Sequence, residues 1–396
     1  MSPVTLAACD IGGTTCRLGL FHRDGTGLVL TARQDVPTGK VPDVPSLFEA
    51  IKNAFGRDAL SSCAACAAAC AGPVENGRVR LSNAAAEYAE GQGAPVPFRI
   101  INDFAAVARS ILTPAGEAAV PVLHCDMKPS SGQSVMAAIG PGTGFGCSVL
   151  IPGKPPRVMA SEGGHAPFPF RGREERAFED FLLPRLGGRA FAETDDVVSG
   201  RGLEALQEFL SGKRMPASAI GPAYLSDDTP LRAVFASFLA RACRAFMLSS
   251  LCFGGLWIAG GLALRNPGLV TCRAFRDELL QETKADLLAQ MPVRLFRSDD
   301  CGLWGAAGAA SDLASSLSAR GDAGTFLPGI CNCFKKLVNL ETDRKAFPRG
   351  GALHPDMLSL REAELLCFSA KKPLPRLLPG HRTLYSATFT GEKSHA

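Results

Sequence analysis

The chain has 396 residues, a length that predicts two domains. Apolar residues make up 46% of it, enough for a substantial core, and a net charge of +4 gives little reason to expect a nucleic-acid partner. No apolar segment has the form of a membrane span or a secretory signal, so we expect a cytoplasmic protein with no membrane partner. Its fourteen cysteines are therefore interpreted as reduced thiols.

The first hundred residues alternate between strand and helix patterns. Leu47, Ile51 and Phe55 recur on one face of a helix. The predicted elements, in chain order, are strands at Val4–Cys9, 16–21 and 28–33, a helix at Ser46–Phe55, strands at Ser62–Ala71, Arg78–Leu81 and Phe98–Ile101, and a helix at Asp103–Leu112.

Three cysteines in the fourth of these strands have a spacing that metal sites also use. Cys63, Cys66 and Cys70 lie in an alanine-rich run, where cysteine serves as a small core residue. We favour the core interpretation, because a metal or cluster site needs a loop that frees the sulfur atoms.

The second half shows the same alternation up to about residue 318. Its predicted elements are strands at Val135–Ile139 and 145–151, helices at Glu174–Leu186, Leu203–Leu210 and Leu231–Phe253, a strand at Leu256–Ala259, a helix at Ala274–Gln290, a strand at Val293–Phe296 and a helix at Leu303–Leu317. After that, prolines recur, basic residues gather and periodicity fades. We interpret this last segment as a poorly ordered appendage.

A glycine-rich phrase occurs twice. Residues 10–14 read Asp-Ile-Gly-Gly-Thr and residues 140–144 read Gly-Pro-Gly-Thr-Gly, each between two apolar strands. A dinucleotide-binding fold or a Walker loop would open a helix at this point, whereas alternating apolar residues predict a strand. One such hairpin is an ordinary turn. Its repetition favours two related α/β halves, each offering backbone N–H groups and a threonine hydroxyl to an anion.

Three further positions allow a functional and a structural interpretation. Asp103 follows the strand that ends at Ile101, and it is either the N-cap of the next helix or a catalytic carboxylate. Glu162 and His165 flank two glycines, either as ligands for hydroxyl groups or as parts of a surface loop. The pair Gly260-Gly261 ends a strand, either as an ordinary turn or where a nucleoside approaches the backbone.

Six segments together resemble the bacterial glucokinase family of the actin–hexokinase fold, and they follow the family's order. The segments are Asp10–Thr14, Ile101–Ala108, Gly140–Gly146, Glu162–His165, Val198–Leu203 and Ile258–Arg265. The resemblance implies an α/β protein with two lobes, both actin/hexokinase-like (ribonuclease H-like), and a cleft between them. It further implies a small α/β domain at 1–108, a large α/β domain at 109–301, a C-terminal helix at 302–318 returning to the small domain, and an atypical tail at 319–396.

The resemblance also implies a reaction, the ATP-dependent phosphorylation of the 6-hydroxyl of a hexose, with glucose as the first candidate. Asp103 is implied to be the catalytic base, and Asp10 to hold Mg²⁺ indirectly. The residues implied to bind the hexose are Asn102, Asp103, Glu162, His165 and Asp195. Those implied to bind ATP are Asp10, Gly12, Gly13, Thr14, Gly142, Thr143, Gly144, Gly260 and Gly261.

Three departures from the family qualify these implications. Asp195 stands where the family has a glutamate, one methylene longer, and Ala84 where it often has a histidine. Residues 166–173 lack the cysteines with which the related ROK kinases bind zinc, so we expect no structural zinc. The alternatives are a kinase for another hexose or an amino sugar, and a non-catalytic sugar-binding regulator on the same fold. A homodimer is left open.

Overall fold

The computed structural model describes residues 3–319, apart from 26, 83, 124–133, 227 and 282, and begins with a five-stranded sheet. The first elements are β1 (Val4–Ile11), β2 (Thr15–Asp24), β3 (Gly27–Pro37), α1 (Val44–Phe55), α2 (Arg57–Ser61), β4 (Cys63–Cys70), β5 (Arg78–Arg80), β6 (Glu87–Ala89) and β7 (Phe98–Asn102). The strand order in this sheet is β3-β2-β1-β4-β7, and β5 pairs with β6 separately.

A second sheet with helices around it follows. Its elements are α3 (Asp103–Ser110), α4 (Pro114–Glu117), β8 (Val120–Leu123), β9 (Met136–Pro141), β10 (Phe145–Ile151), β11 (Arg157–Ser161), α5 (Gly172–Leu182), α6 (Thr194–Val197), α7 (Gly200–Ser211), α8 (Ala217–Tyr224), α9 (Pro230–Ser250), β12 (Gly255–Ile258), α10 (Gly261–Arg265), α11 (Gly268–Thr271), α12 (Arg273–Leu279), α13 (Ala285–Leu288), β13 (Val293–Leu295) and α14, which is helical over 301–319. Short 3-10 helices lie at Thr38–Lys40, Gly163–His165 and Leu183–Leu186. The strand order is β11-β10-β9-β12-β13-β8.

The two sheets repeat one plan. In the first, β1 pairs antiparallel with β2 and parallel with β4, and the sheet continues through β3 on one side and β7 on the other. In the second, β9 pairs antiparallel with β10 and parallel with β12, and the sheet continues through β11 and β13. Each glycine phrase joins the central strand to its antiparallel neighbour. The predicted α/β class with two related halves is confirmed.

Each sheet is partly covered by a helix that follows the last parallel strand of the other. After β7, helix α3 buries Val107 and Ile111 in a cluster with Trp257 and Phe296 of the second sheet's side. After β13, helix α14 places its leucine and alanine face on the first sheet, in a cluster with Leu6, Ala8, Phe21, Ala65 and Ala67. Small alanine side chains let these layers approach closely.

The predicted helix at Ala274–Gln290 is wrong as a single element. Helix α12 ends at Leu279, and α13 starts only after Lys284, whose φ of 69° is left-handed and cannot continue a helix. Strand β8 and helix α8 were not predicted, since β8 is short and α8 contains Pro222.

The cysteine triplet agrees with the core interpretation. Cys63, Cys66 and Cys70 are buried in β4, in one cluster with Leu47 and Ile51 of α1. In the described part of the chain, no group of three or more metal-ligating side chains is assembled.

The predicted domain boundaries stay predictions. The tail proposed from residue 319 lies, from residue 320 on, outside the described residues. Among the residues that the structure places, no helix combines the length and the apolar character needed to cross a bilayer.

Candidate active site

The first glycine hairpin joins β1 to β2 and is braced by a threonine. The Gly12 N–H donates to the Thr15 carbonyl at 3.0 Å and closes the turn. Thr38, buried after β3, donates its hydroxyl to the Gly12 carbonyl at 2.7 Å and its N–H to the Thr14 carbonyl at 3.0 Å. Sequence analysis missed Thr38, because nothing in a strand-to-turn junction marks it. The tip residue, Thr14, is exposed.

The second glycine hairpin joins β9 to β10 and is braced from a distant segment. Gly142 N–H donates to the Gly144 carbonyl at 2.7 Å, and Gly200 N–H, at the start of α7, donates to the Gly142 carbonyl at 2.9 Å. The Phe145 N–H donates to the Asp195 carboxylate. Thr143 is exposed at the tip, as Thr14 is in the first hairpin. Within the described residues, the N–H groups of Thr14 and Thr143 donate no hydrogen bond, so both remain available to a phosphate oxygen.

Asp10 lies at the end of β1, next to the first hairpin. Its carboxylate accepts a hydrogen bond of 3.1 Å from Arg17, which also pairs with Asp299 at 2.7 Å. Burial raises the pKa of Asp10 to about 6, although Arg17 opposes the shift. A further cation placed beside a buried carboxylate with a raised pKa would stabilise its charged form.

Asn102 and Asp103 lie where β7 passes into α3. Asn102 is the N-cap, since its side-chain oxygen accepts from the Ala105 N–H at 3.0 Å. The structural interpretation of Asp103 as N-cap is therefore wrong. The Asp103 carboxylate instead accepts from the Phe104 N–H at 2.9 Å and from the Asn102 side chain at 3.0 Å.

The surroundings of Asp103 suit a proton acceptor. Burial raises the pKa of Asp103 to about 7, the Phe104 N–H opposes this shift, and the negative charges of Asp10 and Glu162 add to it. Asp10 and Glu162 are thus both close enough to Asp103 to influence its ionisation. A carboxylate with a pKa near neutrality exchanges protons readily at the pH of a cell.

Close packing holds α3 between the two sheets. The helix contacts β4 and β7 of the first sheet and β9, β10 and β11 of the second. A Cβ on Gly146 in β10 would clash with the ring of Phe104, so only glycine allows this approach. Gly146, just after the second hairpin, thereby contacts α3, the helix that carries Asp103.

Glu162 precedes the 3-10 helix after β11, and His165 is the last residue of that helix. Their side chains are 67% and 58% exposed, and their nearest side-chain atoms are 3.6 Å apart. His165 Nδ1 lies 2.7 Å from a carboxylate oxygen of Glu193. Two exposed polar groups that are already oriented can bind the hydroxyl groups of a sugar.

Asp195 is placed differently from the other predicted sugar ligands. It is buried, accepts from the Phe145 N–H and pairs with Arg201 at 2.5 Å. Its observed contacts therefore support the second hairpin. Glu193 was not predicted, since the acidic run at 193–196 gives no signal of which member turns toward His165.

The pair Gly260-Gly261 lies beside the second hairpin. Gly260 has a φ of 81°, and a Cβ there would clash with the carbonyl of Pro141. Gly261 starts α10. The site predicted to meet the adenosine thus contacts the loop predicted to meet its phosphates.

These features define the class, an actin/hexokinase-fold sugar kinase. A sequence model of the glucokinase family matches residues 6–313. The glucokinase of a Nostoc species is 29% identical over 341 residues, which cover 76% of this chain and 97% of that protein. The chain belongs to the glucokinase family, whose members are ATP-using sugar kinases.

Two crystal structures show the same fold. The glucokinase of an Antarctic psychrotroph superimposes with a TM-score of 0.66 at 23% identity, over 78% of this chain and 99% of that one. The glucokinase of Balamuthia mandrillaris in complex with glucose gives 0.64 at 18% identity, over 78% of this chain and 94% of that one.

Proposed function

We propose that this protein transfers the γ-phosphoryl group of ATP to the 6-hydroxyl of a hexose, with glucose as the preferred substrate, in the cytoplasm. The observation that carries the proposal is the position of Asp103. It lies at the start of α3, and burial raises its pKa to about 7. Asp10, next to the first hairpin, adds to this shift, and the neighbouring Phe104 packs against Gly146, just after the second hairpin. The glucokinases among the relatives support glucose as the acceptor.

In this proposal, the catalytic step is a proton transfer to Asp103. The carboxylate takes the proton of the 6-hydroxyl as that oxygen attacks the γ-phosphorus. Asn102 holds Asp103 through its side-chain amide and binds the same sugar. Glu162 and His165 bind ring hydroxyls. Positioning supplies most of the acceleration, since the phosphoryl group needs little covalent assistance.

The two hairpins bind the phosphates. The backbone N–H groups at Thr14 and Thr143 are oriented before the substrate arrives, because each turn is closed by its own hydrogen bond and by a brace. Preorganised donors stabilise developing negative charge without further reorganisation. Gly260 and Gly261 leave room for the adenosine beside the second hairpin.

The residues present fit a Mg²⁺ ion. Asp10, Asp299 and Asp300 all pair with Arg17, and Arg33 is the second arginine beside Asp300, so the carboxylates here outnumber the arginines that neutralise them. Hard oxygen ligands of this type suit Mg²⁺, which keeps several of its waters. Asp10 would hold the ion through such a water. When bound, Mg²⁺ neutralises phosphate charge.

A coupled assay of ATP consumption across a panel of hexoses and amino sugars tests the proposal. We expect turnover with glucose at the highest kcat/KM and loss of turnover in Asp103→Ala. Sugar binding in calorimetry without ATP consumption would instead identify a sugar-binding regulator. A preference for another sugar would keep the kinase assignment and change the substrate.

A further inference from the structure

The acidic residue nearest to His165 is Glu193, on the loop before α6, at a position that the family resemblance does not assign to the sugar. Its side chain is 19% exposed, and one carboxylate oxygen lies 2.7 Å from His165 Nδ1. Arg189 pairs with the same carboxylate at 3.2 Å. At 2.7 Å, a ring N–H donating to a carboxylate is a charge-assisted hydrogen bond.

Backbone contacts make this pair rigid. The Thr194 N–H donates to the Ala166 carbonyl at 2.9 Å, and Pro167 forms an isolated bridge with Glu193. The His165 N–H closes its own turn on the Glu162 carbonyl at 3.0 Å. The segments that carry Glu193 and His165 are therefore fastened next to each other, independently of the side-chain bond.

The hydrogen bond to Glu193 decides which nitrogen of the imidazole remains for a ligand. With Nδ1–H donated to Glu193, Nε2 faces outward, 3.6 Å from a Glu162 oxygen. The carboxylate of Asp195, two residues on, is already engaged by Phe145 and Arg201 and cannot take this place.

We propose that Glu193 is a positioning residue of the sugar site, which fixes the ring and the tautomer of His165 so that Nε2 and Glu162 bind neighbouring hydroxyls of the hexose. This inference rests on the proposed function. The charged groups facing His165 are Glu162, Glu193 and Asp195, with Arg189 behind Glu193. Their net negative charge, and first of all the bond to Glu193, raises the pKa of His165, while His165 lowers that of Glu193.

The test compares Glu193→Ala with Glu193→Gln. Alanine removes the acceptor, so we expect the KM for the hexose to rise about tenfold, with kcat and the KM for ATP within about twofold of the wild type. Glutamine keeps an acceptor oxygen and should restore most of the sugar affinity. The matched control is Glu208→Gln, which removes a carboxylate from a surface pair with Arg185; it should change none of these constants.

A double-mutant cycle separates positioning from direct binding. In the His165→Asn background, Glu193→Ala should add no further increase in the sugar KM, because Glu193 acts through the imidazole. An additive increase, or an unchanged KM in Glu193→Ala alone, would overturn the inference.

NMR of the imidazole nitrogens gives a readout that needs no turnover. The wild-type signal of His165, assigned by its loss in His165→Asn, should show the Nδ1–H tautomer and a pKa above the ordinary value; Glu193→Gln should lower that pKa. A pKa that does not respond contradicts the pairing. A response in a protein that phosphorylates no hexose would leave the pairing intact and reject the proposed function instead.

Discussion

The two glycine hairpins occupy equivalent places in their sheets, yet they are braced in different ways. The first is held by Thr38, a neutral side chain two strands further along the chain. The second is held by the carboxylate of Asp195 and by the amide of Gly200, which lie about fifty residues or more further along the chain. Since Glu193 and His165 adjoin Asp195, the second hairpin shares its support with the proposed sugar site. The first hairpin has no such connection among the described residues.

Asp103→Asn should have the largest effect, because it affects the reaction that both hairpins serve. We expect kcat to fall about a thousandfold, the contribution typical of a general base. The Asn oxygen can still accept from the Phe104 N–H, so the far-UV circular dichroism spectrum and the KM for ATP should hold. Activity within tenfold of the wild type would mean that another group takes the proton.

The same variant should be more stable than the wild type. The folded state raises the pKa of Asp103 from 3.8 to about 7, so between these values it binds the proton that the unfolded chain releases. This group's contribution to the free energy of unfolding is therefore present below pH 3.8 and lost as pH rises toward 7. Asp103→Asn cannot ionise and so removes this pH-dependent loss of stability. The Tm of the variant should therefore exceed that of the wild type by more at pH 8 than at pH 4. An equal gain at both values would contradict the buried ionisation.

Asp195→Ala should have the second-largest effect on activity, because it removes the carboxylate that braces the second hairpin. A buried N–H of Phe145 without an acceptor costs about 1–3 kcal/mol, so we expect kcat/KM for ATP to fall between about fivefold and about 150-fold. The matched control is Glu175→Ala on α5, which breaks an ion pair with the buried Arg241 of α9, away from the hairpins. That control should lower Tm and leave kcat/KM for ATP unchanged. A similar kinetic loss in both variants would show that stability alone is responsible.

Thr38→Val should weaken the first hairpin by less. It keeps the Thr38 N–H bond and the volume of the side chain, and loses one neutral hydrogen bond worth about 1 kcal/mol. The KM for ATP should rise about fivefold, and the KM for the sugar should stay constant. Thr31→Val in β3 removes the same type of bond, to the Leu20 carbonyl of β2, and should change neither constant. If Thr38→Val and Asp195→Ala changed the kinetic constants for ATP equally, the two hairpins would not differ in how strongly their braces support them.

The smallest expected effect is on the pH profile. Because Asp103 must be ionised to accept a proton, kcat/KM for the hexose should decline below a pH of about 7. Neither hairpin brace carries this group, so Thr38→Val should show the same midpoint as the wild type. A midpoint that moves with Thr38→Val would place the ionising group in the first hairpin.

The parts of this protein that are predictable from its sequence are those formed by residues close together in the chain. Alternating apolar residues and the repeated glycine phrase predict both hairpins, because each depends on neighbours in the chain. The residues that brace the hairpins are not predictable from the sequence, because they are distant from the hairpins in the chain. Thr38, Glu193 and the partners of Asp195 act across loops and sheets, where spacing carries no information about contact. Asp103 is intermediate: its position at a strand end is predictable, while the cap at Asn102 and its pKa need the three-dimensional neighbours.

The crossing of α3 and α14 has a mechanical consequence. The chain passes from the first sheet to the second at β7–α3, and back at the segment between β13 and α14. Asp103 lies on the first passage, and Asp299, paired with Arg17 of β2, lies on the second. If the two halves rotate about these two passages, Asp103, the proposed base, lies close to the axis of rotation. Such a rotation would move the two hairpin tips much farther than the carboxylate of Asp103.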